Sequence, residues 1–249
     1  MYGETWGNGP PAVLALHGWR RSHADFAAAL GPGSPGDPPP TMAPDLPGFG
    51  ATPEPPGPWG SPDYADAVAA LLRSADGPDG PVVVVGHSLG GRIAVRLAAA
   101  HPDLVGALVL TGAPLVRVGG RRRPPVAYRL ARAMHRVHLV GEGRMEKARR
   151  RHGSADYRAA EGVMRDVLVR LVNETYDDAL GVLADRRCPV ELVWGDDDAE
   201  APPAVARALA EALPQARVTW CPGAGHLTPL TAPAELRAAV RRALACSSS

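Results

Sequence analysis

The feature that most constrains the fold of this chain is the motif Gly86-His87-Ser88-Leu89-Gly90, which has the pattern G-x-S-x-G. It follows an apolar run at residues 81–85 and precedes apolar residues at helical spacing, Leu89, Ile93 and Leu97. A buried strand, a sharp turn and a helix are therefore predicted in direct succession. Any fold proposed for the chain has to contain this strand–turn–helix unit.

The serine in the middle of this turn is a candidate nucleophile. A hydroxyl is a weak nucleophile at neutral pH and needs a neighbouring base, but the turn holds it clear of the backbone. The helix that starts at Leu89 directs its free N–H groups and positive dipole end toward the same place. Gly86 and Gly90 are expected to support the turn, because Cβ atoms two residues on either side of Ser88 would crowd it. The alternative is a glycine-rich strand-to-helix turn that contains an ordinary serine.

The length and composition of the chain fit one large α/β domain with room for an inserted subdomain. Of its 249 residues, 45% are hydrophobic, which is enough for a substantial core. No run approaches the roughly 18 apolar residues that a transmembrane helix needs, and the first residues lack a signal-peptide pattern. The three cysteines, Cys188, Cys221 and Cys246, are few and widely spaced. They suggest a reducing compartment and no metal site, so we expect a cytoplasmic protein without a membrane span.

Strand-like apolar runs alternate with helical patterns along most of the chain. Strands are predicted at residues 12–16, 42–44, 81–85, 105–110, 190–194 and 217–220. Residues 2–6 could add a further strand at an edge of the sheet. Ser61-Pro62-Asp63 has the cap residue, first-turn proline and first-turn acid of a helix start. The alternation predicts an α/β fold with a mostly parallel central sheet that is covered by helices on both faces.

This alternation breaks between two of the predicted strands. Helically spaced apolar residues occur there without an intervening strand: Val126, Leu130, Met134, Val137, Val163, Val167, Leu168 and Leu171. We therefore predict that residues 115–185 form a helical cap inserted into a core of residues 1–114 and 186–246, with a tail at 247–249. The alternative is that these helices are further body helices of the core.

The net charge of +1 conceals an uneven distribution of charged residues. Between Val116 and Arg187 there are 17 Arg and Lys residues against 9 Asp and Glu residues. A basic insert on an acidic body could attract anionic substrates, or it could be a solvated helical face. The arginines are not interleaved with aromatic residues in the manner of a nucleic-acid site, so no nucleic-acid partner is expected.

A serine nucleophile needs a base, and the chain contains 8 histidines. His226 is the best candidate, because its glycine-rich loop follows the last predicted strand and emerges at the carboxyl edge of the sheet, where open parallel sheets place their sites. An acid must orient the imidazole, and the strand ending at Trp194 leads into Asp196, Asp197 and Asp198. Spacing alone does not choose among these three carboxylates. The alternative for His226 is a residue that merely caps the last helix.

The chain order of serine, acid and histidine is that of the α/β-hydrolase arrangement. Over nearly its full length the chain resembles the α/β-hydrolase superfamily. The matching segments are Leu16-His17-Gly18-Trp19, Asp45-Leu46-Pro47-Gly48-Phe49-Gly50, Gly86-His87-Ser88-Leu89-Gly90-Gly91, Trp194-Gly195-Asp196-Asp197-Asp198 and Gly225-His226. The combination of these segments is far more specific than any one of them.

The resemblance implies roles for residues that spacing alone leaves open. It implies that Asp198, the third residue after the glycine, is the acid that orients His226. It also implies that the backbone N–H groups of Trp19 and Leu89 form an oxyanion hole, and that a cap covers the pocket. His17 and Gly18 are expected to support the loop that presents Trp19.

These observations lead us to expect a serine hydrolase that works without a cofactor. Its substrates would be small molecules, carboxylic esters or related acyl compounds, cleaved through an acyl-enzyme on Ser88. The serine argues against dehalogenase or epoxide-hydrolase chemistry, which in this superfamily uses an aspartate at the same position. Alternatives of the same fold are a carbon–carbon bond hydrolase, a thioesterase, a lactonase and a cofactor-free haloperoxidase. The alternative that is not an enzyme is a catalytically silent small-molecule receptor, and the sequence does not indicate an oligomeric state.

Overall fold

The structure is a computed structural model that describes residues 1–74, 77–119, 143 and 155–247. Its central element is one seven-stranded sheet. Its strands are β1 (Gly3–Trp6), β2 (Val13–Leu16), β3 (Thr41–Pro44), β4 (Val82–His87), β5 (Val105–Thr111), β6 (Val190–Gly195) and β7 (Arg217–Cys221). Their spatial order is β1-β3-β2-β4-β5-β6-β7, and all neighbours are parallel except β1 and β3. The predicted mostly parallel α/β sheet is confirmed, with the edge strand β1 formed by the segment near the N-terminus.

The helices follow the strands in the alternation that the sequence predicts. They are α1 (Ala27–Leu30), α2 (Ser61–Leu72), α3 (Leu89–Ala100), α4 (Ala155–Ala159), α5 (Gly162–Asn173), α6 (Asp177–Asp185), α7 (Pro203–Ala212), α8 (Thr228–Thr231) and α9 (Pro233–Ser247). A short 3₁₀ helix at His23–Phe26 precedes α1. The helix α9 includes Ser247, the first residue of the predicted tail, and residues 248 and 249 lie outside the described residues.

The core consists of two apolar layers, one on each face of the sheet. On one face, Val83, Val85 and Val109 of the central strands pack with Phe26 and with Leu236 of α9. The alternate residues of a strand point to the opposite face. There α3 packs on β2, β4 and β5, and α2 and α6 pack on α3. Because both faces are covered, the central strands are mostly apolar, and β4 is buried along its whole length.

The chain divides into two compact units. The larger contains Met1–Pro55, Trp59–Val118 and Glu174–Ser249, and the smaller contains Pro56–Pro58 and Gly119–Asn173. The helices α4 and α5 belong to the smaller unit. The helix α6 belongs to the larger unit, although it falls within the predicted insert of residues 115–185. The function of this insert as a cap stays a prediction.

Part of the predicted insert cannot be compared with the structure. The helix predicted to carry Val126, Leu130, Met134 and Val137 lies outside the described residues. Among the apolar residues predicted for the second half of the insert, Val167, Leu168 and Leu171 are buried side chains of α5. The amphipathic pattern of that segment therefore corresponds to a helix with one apolar face.

The start of α2 differs from the sequence prediction. The sequence predicts Ser61 as the cap of this helix, but Ser61 is the first helical residue and Gly60 occupies the cap position. The Gly60 N–H donates to Oδ2 of Asp63 at 2.7 Å. The N–H and hydroxyl of Ser61 instead donate to the carboxylate of Glu174, at 2.9 and 2.5 Å. A partner 113 residues away along the chain has therefore replaced local capping.

A close backbone approach occurs at Gly90, in the first turn of α3. A Cβ atom at this position would overlap the carbonyl oxygen of Leu16 at the end of β2. We expect Gly90→Ala to lower the free energy of unfolding by about 3 kcal/mol, because backbone rather than a flexible side chain would have to move. Urea denaturation measures the change.

Gly80 supplies the matched control for this substitution, because a Cβ atom there would meet nothing within 4 Å. Gly80→Ala should change the free energy of unfolding by no more than about 0.5 kcal/mol. Equal stability of the two variants would show that the backbone crossing at Gly90 is looser than the structure indicates.

Candidate active site

Ser88 occupies a strained backbone position between β4 and α3. Its φ is 51° and its ψ is −107°, and a positive φ is costly for a residue other than glycine. The Ser88 N–H donates to the carbonyl of Thr111 at the end of β5, at 3.0 Å. The side chain is half-buried at the N-terminus of α3. The structure therefore places Ser88 in the sharp turn that the motif predicts, at the carboxyl edge of the sheet.

Glycines allow the backbone to close tightly around this turn. A Cβ atom at Gly86 would lie 2.6 Å from Cα of Gly91, and one at Gly18 would lie 2.8 Å from Nδ1 of His87 and 3.4 Å from Cβ of Ser88. The loop containing Gly18 therefore runs directly beside the candidate nucleophile. The Gly90 N–H donates to the carbonyl of His17 at 3.0 Å, which joins this loop to the turn.

His17 fixes the orientation of the peptide bond that precedes Trp19. Its Nε2 accepts the Leu46 N–H at 2.9 Å, so its Nδ1 carries the proton and donates to the Gly18 carbonyl at 2.8 Å. Burial lowers the pKa of His17, and this effect is larger than the opposing effect of the hydrogen bond to the Gly18 carbonyl. The His17 ring is therefore neutral at pH 7. In a trans peptide the C=O and N–H point in opposite directions. The Trp19 N–H therefore points away from the His17 ring.

The two backbone donors predicted for an oxyanion hole are both available. Neither the N–H of Trp19 nor that of Leu89 has a hydrogen-bond acceptor among the described residues. Leu89 follows Ser88 directly, and the loop containing Trp19 approaches Ser88 through Gly18. Unengaged N–H groups beside a nucleophile can stabilise an anionic oxygen, and this role of Trp19 and Leu89 stays a prediction.

A buried carboxylate that sequence reasoning missed organises the neighbouring loop. Oδ1 of Asp45 accepts the His23 N–H at 2.9 Å, and Oδ2 accepts the Ala51 N–H at 2.9 Å. Burial opposes ionisation of this carboxyl, but these N–H groups and the His23 ring outweigh burial and lower its pKa. The loop that Asp45 holds presents Phe49, whose ring lies edge-on to Trp19 with 4.9 Å between the centroids. The pattern of Asp followed by closely spaced glycines was the available signal, but it does not identify these donors.

The structure brings Asp198 and His226 into contact. Nδ1 of His226 lies 2.9 Å from Oδ2 and 3.1 Å from Oδ1 of Asp198, so the carboxylate selects the tautomer with the proton on Nδ1. The N–H groups of Glu200 and Ala201 donate to Oδ1 of Asp198 at 2.9 and 2.8 Å. These bonds hold the buried carboxylate in one orientation.

The electrostatics of this pair favour a charged imidazole beside a charged carboxylate. Burial alone would raise the pKa of Asp198, but the hydrogen bonds from His226 and from the backbone of Ala201 and Glu200 lower it overall. Burial alone would lower the pKa of His226, but the hydrogen bond and charge of Asp198, with a smaller effect of Glu200, raise it overall. The pair can therefore stabilise an imidazolium when a proton is transferred to His226.

The other two carboxylates of the Asp cluster have different surroundings. Oδ1 of Asp196 accepts the Gly223 N–H at 2.7 Å, which closes the turn after β7. The Asp197 N–H donates to the Ala224 carbonyl at 3.1 Å, and its side chain is exposed. Within the described residues, the carboxylate that contacts His226 from this cluster is that of Asp198 alone.

His87 supports the loop that contains His226. Its Nε2 lies 2.9 Å from the His226 carbonyl and donates to it, and the two rings are 5.0 Å apart between centroids. Burial lowers the pKa of His87 to about 4, and the neighbouring His226 contributes. The ring is therefore neutral and committed to a backbone acceptor. In the sequence, His87 is only the variable residue before Ser88 in the motif, which gives no sign of this support.

Ser88 and His226 both adjoin the end of β5. A Cβ atom at Gly112 would lie 3.0 Å from both Nδ1 and Cε1 of His226, so the imidazole lies against Gly112. The preceding residue, Thr111, accepts the Ser88 N–H. Both residues are among those described, and no hydrogen bond joins the Ser88 hydroxyl to the His226 ring. Such bonds are often long in unliganded enzymes and form when substrate binds.

Two further properties concern only the part of the chain that the structure describes. Within it, no three His, Cys, Asp or Glu side chains are grouped so that they could hold a metal ion. None of its helices has the length and apolar character that crossing a membrane requires.

Comparisons with known proteins identify the family of this chain. The model of the alpha/beta hydrolase family matches residues 13–239. The lipase LipV of Mycobacterium tuberculosis is 38% identical over 178 residues, which are 68% of this chain and 62% of the lipase. The match therefore spans less than two thirds of the length of that lipase.

Two other similar proteins match over nearly their whole length. The pimeloyl-[acyl-carrier protein] methyl ester esterase of Chromobacterium violaceum is 35% identical over 251 residues, with 91% of each chain covered. A solved structure of a thermophilic esterase from Thermogutta terrifontis has a TM-score of 0.70 at 26% identity, covering 100% of this chain and 94% of that chain. With the seven-stranded sheet formed by the described residues, these matches show that the chain belongs to the alpha/beta hydrolase family and is a hydrolase.

Proposed function

We propose that this hydrolase cleaves small carboxylic esters through a covalent acyl-enzyme on Ser88, without a cofactor. The observation that carries the proposal is the hydrogen bond between Asp198 and His226. The His226 ring lies against Gly112, near the strained Ser88. The proposal is also supported by relatives that are named as a lipase and a methyl ester esterase. Ester cleavage is the chemistry that a base, an orienting acid and two backbone donors can accomplish around one serine.

The first step forms the acyl-enzyme. Nε2 of His226 accepts the Ser88 proton while Oγ attacks the carbonyl carbon, and the carbonyl π electrons move onto oxygen. The N–H groups of Trp19 and Leu89 stabilise the resulting oxyanion, and loss of one such donor typically costs about 3–4 kcal/mol. Asp198 stabilises the imidazolium through Nδ1. As the intermediate collapses, His226 donates its proton to the leaving alkoxide, and the alcohol departs.

The second step releases the acid. Water enters the place of the alcohol, and neutral His226 removes its proton as it attacks the acyl carbon. The second oxyanion occupies the same pair of N–H groups. When the carbon–oxygen bond to Ser88 breaks, His226 returns the proton to the serine oxygen. His17 contributes indirectly, because it holds the peptide bond that carries the Trp19 donor.

Replacement of the nucleophile is the most direct test. We expect Ser88→Ala to lower kcat for a 4-nitrophenyl ester by roughly a million-fold, because the covalent step is lost. A fluorophosphonate probe, which labels only activated serines, should react with the native protein and fail to react with the variant. The control is Ser74→Ala, which removes a hydroxyl bonded to the Leu71 carbonyl in an exposed position. Full labelling of Ser88→Ala would refute the assignment.

The raised pKa of His226 predicts where activity is lost in acid. The base must be neutral, and its pKa in the folded protein lies above the ordinary value of 6.5. The value of kcat/KM should therefore fall as pH decreases, with its midpoint above pH 6.5. In Asp198→Asn the midpoint should move down, because the stabilising charge is gone, and kcat should fall about 10⁴-fold. A native midpoint at or below pH 6.5, or one unaffected in Asp198→Asn, would contradict the role of this pair.

A further inference from the structure

A second carboxylate faces the reactive nitrogen of His226. Oε2 of Glu200 lies 3.6 Å from Nε2, the nitrogen on the opposite side of the ring from Asp198. This is the nitrogen that exchanges protons with Ser88 and with the leaving group in the function proposed above. Neither the α/β-hydrolase motifs nor the mechanism derived above makes use of a carboxylate at this place.

The backbone of Glu200 is fixed by the residue that orients the imidazole. Its N–H donates to Oδ1 of the buried Asp198 at 2.9 Å, in the turn that follows β6. Replacing the Glu200 side chain therefore leaves intact the hydrogen bond that determines where the turn lies. The side chain itself is 72% exposed and reaches the imidazole from the solvent side.

The negative charge of Glu200 is not neutralised by a basic side chain of the described residues. Its ion-pair partner there is His226, and no Arg or Lys of that part of the chain pairs with it. The other ionisable groups around the imidazole are Asp198, already engaged at Nδ1, and His87, which is neutral. The residues that follow His226 include Leu227 and Leu230, which are exposed and apolar. A net negative charge therefore stands beside the reacting atoms.

We propose that Glu200 determines specificity by favouring acyl groups that carry a positive charge and disfavouring those that carry a negative one. The inference rests on the proposed function, because the acyl carbon bound to Ser88 must lie within reach of His226 Nε2. A charge a few bonds from that carbon then lies within a Debye length, about 10 Å, of the Glu200 carboxylate. Since the carboxylate is exposed, solvent and salt limit the discrimination to a few-fold.

The same charge has a second, measurable consequence at His226. A carboxylate beside Nε2 stabilises the imidazolium more than the neutral ring, and therefore contributes to the raised pKa of His226. Removal of the Glu200 charge should lower the titration midpoint of this histidine by about half a pH unit, in line with the small size of exposed ion-pair interactions.

The test compares three esters that differ in charge, of which the cationic and the neutral one have the same shape. The 4-nitrophenyl ester of 4-(trimethylammonio)butyrate is cationic, and that of 5,5-dimethylhexanoate is its neutral isostere. In Glu200→Gln, the ratio of kcat/KM for the cationic ester to that for the neutral one should fall about threefold at low ionic strength. For the anionic mono-4-nitrophenyl adipate, kcat/KM relative to the neutral ester should rise by a similar factor. Both changes should shrink in 0.5 M NaCl, because salt screens exposed charges.

The matched control is Asp197→Asn, which removes the same charge from an exposed residue of the same turn that does not contact His226. Its charge ratios should stay near those of the native protein. Unchanged ratios in Glu200→Gln, or equal changes in the two variants, would overturn the inference. If that happens while activity still depends on Ser88, the proposed function survives. If Ser88→Ala retains activity, the proposed function fails first.

Nuclear magnetic resonance separates the electrostatic cause from its catalytic effect. With ¹³Cε1-labelled histidine, the His226 signal can be assigned by its disappearance in His226→Gln. Its titration midpoint should be lower in Glu200→Gln than in the native protein and unchanged in Asp197→Asn. An unchanged midpoint in Glu200→Gln would show that the carboxylate does not act on Nε2, and would overturn the inference independently of any ester.

Discussion

The site depends on the close crossing of two backbones, where the end of β2 meets the first turn of α3. The Gly90 N–H donates to the His17 carbonyl at 3.0 Å, and no side chain larger than hydrogen fits at Gly90 beneath the Leu16 carbonyl. This one contact sets the distance between the loop that presents Trp19 and the turn that presents Ser88. Two donors on separate segments can converge on one oxygen only if that distance is small and constant. The strained φ of Ser88 is tolerated because the strand, the helix and this crossing together over-determine it.

Buried carboxylates hold the remaining loops by the same physical means. Asp45 and Asp198 both lie just after a strand, and both are almost fully buried. Each accepts hydrogen bonds from backbone N–H groups of nearby loop residues, such as Ala51 for Asp45 and Ala201 for Asp198. Burying a charge is expensive unless hydrogen bonds replace its hydration. Each carboxylate therefore imposes a definite path on the backbone around it, because only that path supplies enough donors. Asp45 thereby fixes the loop of Phe49, and Asp198 fixes its own turn while leaving an oxygen for His226.

The sequence was sufficient to predict the sheet, its parallel character and the turn at Ser88, because these follow from local periodicity and from glycine spacing. It was not sufficient where the decisive contact is distant along the chain. Ser61 has every local sign of a helix cap, yet Glu174 takes its hydrogen bonds. Spacing left Asp196, Asp197 and Asp198 equivalent, and only family resemblance favoured Asp198, whose contact with His226 depends on how two loops meet. The assignment of Ser88, Asp198 and His226 as catalytic residues stays a prediction, as does the cap.

Two groups of charges in this protein differ in range: a basic excess spread over a long segment, and the single carboxylate of Glu200 beside His226. The excess of basic residues between Val116 and Arg187 is a property of a long segment, and such a field changes mainly the rate at which charged molecules approach. Glu200 is a single charge 3.6 Å from Nε2 of His226, so under the proposed function it would act on bound substrate and on the transition state. At physiological ionic strength the Debye length is about 8 Å, which weakens the first effect far more than the second. If both proposals hold, an anionic ester is attracted by the segment as a whole and still reacts slowly, because charges of opposite sign then act on encounter and on chemistry.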